Sequence, residues 1–160
     1  MQIKNYNREA ALKYARKWSN ARNPEYYNYE YLGGDCTNFI SQCIFAGTGT
    51  MNYSKTDGWY YINGNDKAPA WTGVEFLYKF LINNKGVGPF GSVVSRDEVD
   101  VGDIIQLSFD GVKFGHTLIV VNIIENKILI ATHTFDSYNK DLDTYSYEKA
   151  RFIKINGYRK

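Results

Sequence analysis

The hydrophobic pattern of this chain changes period near its middle, and that change restricts the fold more than any other feature. Up to about residue 83, apolar side chains recur at the three- and four-residue spacing of helices. From Val93 onward the pattern becomes the alternation that is typical of strands. Helices followed by a run of strands predict an α+β fold with an antiparallel sheet.

Three helices are predicted before the change of period. Asn7 caps the first, in which Ala11, Ala15 and Trp18 recur at helical spacing. Asp35 caps the second, and the third opens on a segment with the form of a capping box, Thr72-Gly73-Val74-Glu75. The predicted helices run from Asn7 to Asn20, from Cys36 to Gly47 and from Thr72 to Asn83.

Strands are predicted after the change of period, preceded by a glycine-rich segment, Gly86-Val87-Gly88-Pro89-Phe90-Gly91. The glycine spacing of this segment matches a dinucleotide-binding turn. Such a turn must leave a strand and open a helix, whereas this segment follows a helix, so we predict an ordinary loop from Asn84 to Gly91. The predicted strands are Asp103–Phe109, Gly115–Ile124, Lys127–Thr134 and Arg151–Ile155.

Composition predicts a single domain that occupies residues 1–160. Hydrophobic residues make up 44% of the chain, enough to bury a core. The formal net charge of +2 comes from interspersed acidic and basic residues, which does not favour nucleic acid as a partner. The N-terminal segment has no apolar signal core, and no stretch is apolar enough for a membrane span. We expect a monomer that is secreted or cell-wall associated if a signal or further domain has been removed.

The segment Gly33-Gly34-Asp35-Cys36 places a cysteine on the first turn of a helix entered through two glycines. Backbone N–H groups in a first turn lack intrahelical partners, and the helix dipole favours an anion there. Both effects lower the pKa of a thiol and leave donors free for an oxyanion. Cys36 is therefore a candidate nucleophile, although the neighbouring carboxylate of Asp35 opposes thiolate formation.

The other cysteine, Cys43, lies seven residues after Cys36 on the same predicted helix. At about 1.5 Å per residue their Cα atoms are about 10 Å apart along the axis. A disulfide requires Cα atoms within about 7 Å. We therefore predict no disulfide, and we expect Cys43 to be a buried apolar side chain beside Phe39 and Ile40.

Only two histidines are present, so a cysteine–histidine pair has two candidate bases. His116 opens one predicted strand, and His133 lies near the end of the next. If an even-numbered loop joins these strands, paired residues have numbers with an odd sum, as the two histidines do. This parity predicts that both rings lie on one face of the sheet, close enough to touch.

Cys36, His116 and His133 together supply the parts of a thiol triad. We expect His116 to take the Cys36 proton and His133 to hold the His116 ring in the productive tautomer. The backbone N–H of Cys36 is expected to stabilise the oxyanion, aided by a side chain from the preceding aromatic loop. The candidates for that side chain are Asn28, Tyr29 and Tyr31.

Several motifs extend this pattern over nearly the whole chain. The most specific is Asp35-Cys36-Thr37-Asn38-Phe39-Ile40-Ser41-Gln42-Cys43, and shorter ones are Gly102-Asp103, Gly115-His116 and Ala131-Thr132-His133-Thr134. In order and spacing they resemble the papain-like peptidoglycan amidases and peptidases of the NlpC and CHAP superfamily. The resemblance is strongest to the "putative amidase domain" family within it.

This resemblance implies a papain-like fold, in which the N-terminal helices, including the nucleophile helix, pack on the antiparallel sheet. It implies a Cys36 nucleophile, a His116 base and hydrolysis of an amide bond in the peptide moiety of bacterial peptidoglycan. The third member varies among relatives. His133 fits that position best, and Asp136 is the alternative because a carboxylate stabilises an imidazolium more strongly. No metal or organic cofactor is implied.

Aromatic residues are the candidates for substrate binding, because flat rings with polar edges suit a glycan or a peptide. We single out Tyr31, Trp59 and Trp71, with a place in the core as the alternative for each. Two other functions remain open. One is an inactive module of the same fold that binds cell-wall glycan or peptide, and the other is an acyltransferase that passes the Cys36 thioester to an amine.

Overall fold

The computed structural model describes residues 1–160 and confirms an α+β fold with an antiparallel sheet. The helices are α1 (Arg8–Trp18), α2 (Cys36–Thr48), α3 (Pro69–Thr72) and α4 (Val74–Asn83). The strands are β1 (Ile3–Lys4), β2 (Tyr61–Asn63), β3 (Asp66–Lys67), β4 (Gly88–Val94), β5 (Ile104–Ser108), β6 (His116–Ile124), β7 (Lys127–Thr132), β8 (Ser137–Asp141) and β9 (Lys149–Arg159). None of the helices is long and apolar enough to cross a membrane.

Seven strands form the main sheet in the order β1-β9-β5-β6-β7-β8, and β4 also pairs with the long strand β9. Every pairing is antiparallel. Strands β2 and β3 form a separate hairpin. Strands β5, β6 and β7 are therefore neighbours, which brings the start of β6 close to the end of β7.

The helices cover one face of the main sheet, where side chains from α1, α2 and α4 share a core with alternate residues of β5, β6, β7 and β9. A smaller core lies on the opposite face. Helix α2 is buried on nearly all sides and carries no charged side chain. The first turn of α2 is thereby held firmly over the sheet.

The helix ends show where the sequence pattern misled. Asn7 caps α1 as predicted, its Oδ1 accepting from the Ala10 N–H at 3.0 Å. Helix α2 continues past the predicted end at Gly47 to a left-handed residue, Gly49. Gly47 serves close packing instead, because a Cβ there would lie 2.4 Å from the Tyr6 ring. The capping box predicted at Thr72 does not form, since Thr72 ends α3 and α4 starts behind Gly73.

The predicted loop from Asn84 to Gly91 is wrong in its second half, which forms most of β4. The glycines there allow close approach of the neighbouring strand: a Cβ on Gly91 would lie 2.4 Å from the Lys154 carbonyl oxygen. Strand β8 was not predicted at all. It is a polar strand at the edge of the sheet, where apolar alternation is not required.

Candidate active site

The chain enters α2 through two glycines in the left-handed region, Gly33 at φ +88° and Gly34 at φ +99°. The first backbone hydrogen bond of the helix runs from Phe39 N–H to the Asp35 carbonyl at 3.0 Å. The N–H groups of Cys36, Thr37 and Asn38 donate to no other group of the protein. Three free donors therefore surround the candidate nucleophile, as predicted for a first helical turn.

Asp35 stands at the N-cap position, but its side chain caps nothing. Its Oδ1 accepts from the Tyr29 backbone N–H at 2.8 Å and from Asn38 Nδ2 at 2.9 Å, and its Oδ2 lies 2.6 Å from His133 Nδ1. Burial acts to raise the pKa of Asp35, but these hydrogen bonds, led by His133, hold that pKa below its ordinary value. Asp35 is thus a buried carboxylate directly before Cys36.

Cys36 is buried with 7% of its surface exposed, and its Sγ lies 3.8 Å from Thr37 Oγ1. The next side chain along, Thr37, shares a 2.9 Å hydrogen bond with Thr117 of β6. Because Cys36 precedes Thr37 and His116 precedes Thr117, this bond fixes the candidate nucleophile beside the strand start that carries His116. Cys43 is fully buried, which raises its pKa, and both cysteines are free thiols.

His116 is half-buried, and its ring packs edge-on against Phe109 with 4.7 Å between centroids. No hydrogen bond reaches either of its ring nitrogens, and none joins it to Cys36 Sγ. Burial lowers the pKa of His116 below its ordinary value of 6.5, so the ring is neutral at neutral pH. A neutral imidazole without a fixed partner is free to accept a proton.

The predicted contact between the two histidines does not form, because the pairing of β6 with β7 shifts by one residue. Near the hairpin turn the register is as predicted, with Ile124 opposite Lys127. An irregularity between Val120 and Asn122 then brings Ile119 opposite Ala131. When this register is extended by two residues, His133 lies opposite Thr117 on the face of the sheet that packs against α2. The side chain of His116, one residue earlier in β6, then points to the other face of the sheet.

His133 instead joins three elements beneath the start of α2. Its Nδ1 lies 2.6 Å from Asp35 Oδ2, and its Nε2 lies 2.7 Å from the carbonyl oxygen of Trp18 at the end of α1. The ring stacks on Phe39 of α2 with 3.9 Å between centroids. With both nitrogens engaged elsewhere, His133 does not hold the His116 ring.

Asp136, the predicted alternative, does not reach His116 either. Its carboxylate forms a two-point ion pair with Arg22, with Nη1–Oδ2 at 2.7 Å and Nη2–Oδ1 at 3.0 Å. The same guanidinium lies 3.5 Å from Asp35 Oδ2 and 3.7 Å from Glu30 Oε2. Arg22 was missed because nothing in the sequence around a single loop arginine shows that three carboxylates converge on it.

Two of the three predicted substrate-binding residues are part of the core. Trp59 and Trp71 are fully buried, and their Nε1–H groups donate to Ser41 Oγ and Asn38 Oδ1, each at 3.0 Å. Both tryptophans support α2 from behind and present no surface to a substrate. Tyr31 differs, since 91% of its surface is exposed in the loop before Cys36.

The oxyanion candidates in that loop are also separated by their contacts. Tyr29 is buried, and its hydroxyl donates to the Gly64 carbonyl at 2.8 Å. Asn28 accepts from Arg22 Nε at 3.2 Å and from the Glu30 backbone N–H. Tyr31 alone has a side chain free of such contacts.

A surface pocket of about 590 Å³ lies against this loop, at the hairpin of β2 and β3. The exposed side chains of Tyr27 and Leu32 line it together with Tyr29 and residues 63–65 of the hairpin. Another pocket, of about 520 Å³, lies between α4 and the loop around Asp57, and none of the candidate catalytic residues lines it.

A family model described as "putative amidase domain" matches residues 5–156, nearly the whole chain. The chain belongs to this putative amidase domain family. Among curated proteins it is 36% identical to the uncharacterized protein YhbB of Bacillus subtilis, over 82% of this chain and 42% of that protein. It is 26% identical to the uncharacterized protein YjcM of the same organism, over 86% of this chain and 33% of that protein.

The putative amidase domain therefore spans less than half the length of these two relatives. No solved structure matches the chain. Family membership agrees with the amidase activity that the sequence motifs predict.

Proposed function

We propose that this protein is a cysteine-dependent amidase of papain-like fold, related to the NlpC and CHAP superfamily. One observation carries the proposal: Cys36 opens α2 with three unpaired backbone N–H groups around it. The description of the family as an amidase supports the reaction class. The thiol supplies the nucleophile, and the free donors supply the electrostatic stabilisation that acyl transfer requires.

In this mechanism His116 takes the proton from Cys36 Sγ, and the thiolate attacks the carbonyl carbon of the amide. The carbonyl oxygen becomes an oxyanion next to the Cys36 N–H. When the C–N bond breaks, the imidazolium gives its proton to the departing amine, and a thioester remains on Cys36. His116 then removes a proton from water, which attacks the thioester and releases a carboxylic acid and the free thiol.

Because His116 lies in the row of β6 that faces away from α2, this sequence of steps requires the backbone at the start of β6 to rearrange when substrate binds, so that the ring reaches Cys36. Gly115, directly before His116, makes no packing contact that opposes such a movement, because even a Cβ placed there would meet no atom within 4 Å. Catalytic hydrogen bonds are often long in a free enzyme and tighten in the substrate complex. The lack of a fixed partner for His116 is compatible with such a movement.

As substrate we propose the peptide moiety of bacterial peptidoglycan, in a protein that is secreted or associated with the cell wall. The resemblance to cell-wall amidases supports this choice. So do the exposed side chains of Tyr27, Tyr31 and Leu32 in the loop before the nucleophile, which suit a peptide or glycan.

Digestion of purified peptidoglycan tests the proposal. Wild type is expected to release new amino groups and soluble fragments with masses that identify the bond, while Cys36→Ala releases neither. Cys43→Ala is the matched control, since it removes the other thiol from a fully buried position. Equal release by Cys36→Ala would refute the mechanism. Parallel reactions with an added amine separate hydrolysis from acyl transfer.

One observation favours a second candidate, an inactive module that binds cell-wall glycan or peptide. Cys36 and His116 share no hydrogen bond, and His116 lies in the row of β6 that faces away from the helix of Cys36. Wild type that binds peptidoglycan in sedimentation assays but releases no fragments would establish this alternative.

A further inference from the structure

The carboxylate of Asp35 is the charge nearest to Cys36 along the chain, and it is poorly placed for a thiol that must ionise. Asp35 is 2% exposed, so little solvent screens it. A negative charge close to a thiol disfavours the thiolate. A working nucleophile at Cys36 therefore requires that this charge be compensated.

Two basic side chains contact Asp35 from different elements. His133 at the end of β7 faces an acceptor with each ring nitrogen, Asp35 Oδ2 at 2.6 Å and the Trp18 carbonyl at 2.7 Å. Only a ring with a proton on both nitrogens satisfies both bonds, so the geometry requires an imidazolium. The guanidinium of Arg22 adds a weaker contact at 3.5 Å.

Arg22 contacts three carboxylates, whereas His133 contacts one. The guanidinium also lies 3.7 Å from Glu30 and 2.7 Å from Asp136, so two further carboxylates compete with Asp35 for its charge. His133 has Asp35 as its only acidic partner and is shielded by stacking on Phe39. Tyr29 also lies near Asp35, and burial raises the pKa of its hydroxyl, which therefore stays uncharged. Across the start of β6, burial lowers the pKa of His116, so that ring is neutral at neutral pH.

We propose, on the basis of the proposed function, that His133 is a positioning residue whose ring donates a hydrogen bond from each nitrogen, neutralises Asp35 and so allows Cys36 to form a thiolate. Arg22 assists it. His133 thus acts on the nucleophile through Asp35 and has no part in orienting the base. The two bonds of His133 also tie the entrance of α2 to the end of α1.

The pH dependence of Cys36 alkylation by iodoacetamide tests this inference without any substrate. Labelling is read by mass spectrometry of the peptide that contains Cys36. In His133→Gln only the weaker contact with Arg22 still compensates the carboxylate of Asp35, and we expect the pH at which the alkylation rate is half-maximal to rise by about one unit. At pH values below this midpoint, we expect the variant to be alkylated about tenfold more slowly than wild type. In Asp35→Asn/His133→Gln the anion is gone as well, so the profile returns to that of wild type.

Rescue by the second substitution is the decisive result, because neither a purely structural role nor an orienting role of His133 predicts it. A double variant that stays shifted, or a His133→Gln profile identical to wild type, would overturn the inference. If His133→Gln does not fold, Arg22→Gln provides the second measurement, with a smaller upward shift expected and no shift contradicting it. Failure of the proposed function gives a different result: wild-type Cys36 then reacts no faster than a free thiol.

Discussion

His133 Nδ1 lies 2.6 Å from Asp35 Oδ2, a contact between residues 98 positions apart that joins the end of β7 to the residue before the candidate nucleophile. Through Nε2 the same ring binds the end of α1. The entrance of α2 is thus fixed by a buried hydrogen bond between two side chains in addition to its own backbone. Charge state and stability are consequently linked at this point of the molecule.

This linkage predicts how stability changes in acid. The pKa of Asp35 in the folded protein lies below its ordinary value of 3.8, so the ionised form stabilises the fold. The sign follows: this contribution is present above pH 3.8 and is lost as the pH falls through the lowered pKa of the folded state. We expect wild type to lose more thermal stability than Asp35→Asn between pH 5 and pH 2. Parallel loss in both proteins would contradict this role.

The activity of a His116 base has its own pH limit. Since burial lowers the pKa of His116 below 6.5, the neutral ring persists at mildly acidic pH. We expect kcat/KM to be constant near neutral pH and to fall only when the pH drops below 6.5. We expect His116→Gln to reduce kcat by about 10²- to 10⁴-fold. Rates on a soluble amide substrate across pH 4 to 8 measure both. A His116→Gln variant with wild-type activity would remove His116 from the mechanism.

Replacing a glycine at the start of α2 is expected to lower the stability of the fold through backbone strain alone, without a steric clash. Gly34 has φ +99°, and a Cβ there would meet no atom within 4 Å. We therefore expect Gly34→Ala to cost ~1–2 kcal/mol, the price of a left-handed conformation for an L-residue. Gly115→Ala is the control, because its surroundings are equally open and its φ is not positive. Denaturant unfolding compares the two, and equal costs would rule out this explanation.

Tyr31 and Trp71 predict opposite effects of removing an aromatic ring. Tyr31 is 91% exposed, so Tyr31→Ala is expected to leave the unfolding temperature unchanged and to raise KM about fivefold, equivalent to ~1 kcal/mol of binding. Trp71 is fully buried, and Trp71→Ala is expected to destabilise the fold by ~3–5 kcal/mol. An unchanged KM in Tyr31→Ala would remove Tyr31 from the substrate surface.

Much of the fold follows from local pattern, because apolar spacing and capping act over a few residues. The predicted strands of β5, β6 and β7 correspond to the observed ones within one or two residues at their ends, and Cys36 begins α2 as predicted. Strand β4 was not predicted because closely spaced glycines are typical of a loop. Only the structure shows that these glycines allow the close approach of β9. The end of α2 and the start of α4 depend on tertiary packing, which the spacing of apolar residues does not reveal.

The site was predictable in its residues and less so in its contacts. Cys36 and both histidines were identified because thiols and imidazoles are few in this chain. The separation of the histidines depends on one irregular pairing, and the buried state of Trp59 depends on the whole core. Arg22 acquires its partners only when three distant segments converge, so its importance has no local signal.

The irregularity between Val120 and Asn122 has a consequence for comparing members of the family. Gain or loss of a single residue at this point would exchange the two rows of β6 that precede it. A histidine aligned with His116 in a relative can then occupy the opposite side of the sheet. Alignment by sequence alone is therefore an unsafe guide to which imidazole serves the thiol in each member, and the length of this strand must be compared first.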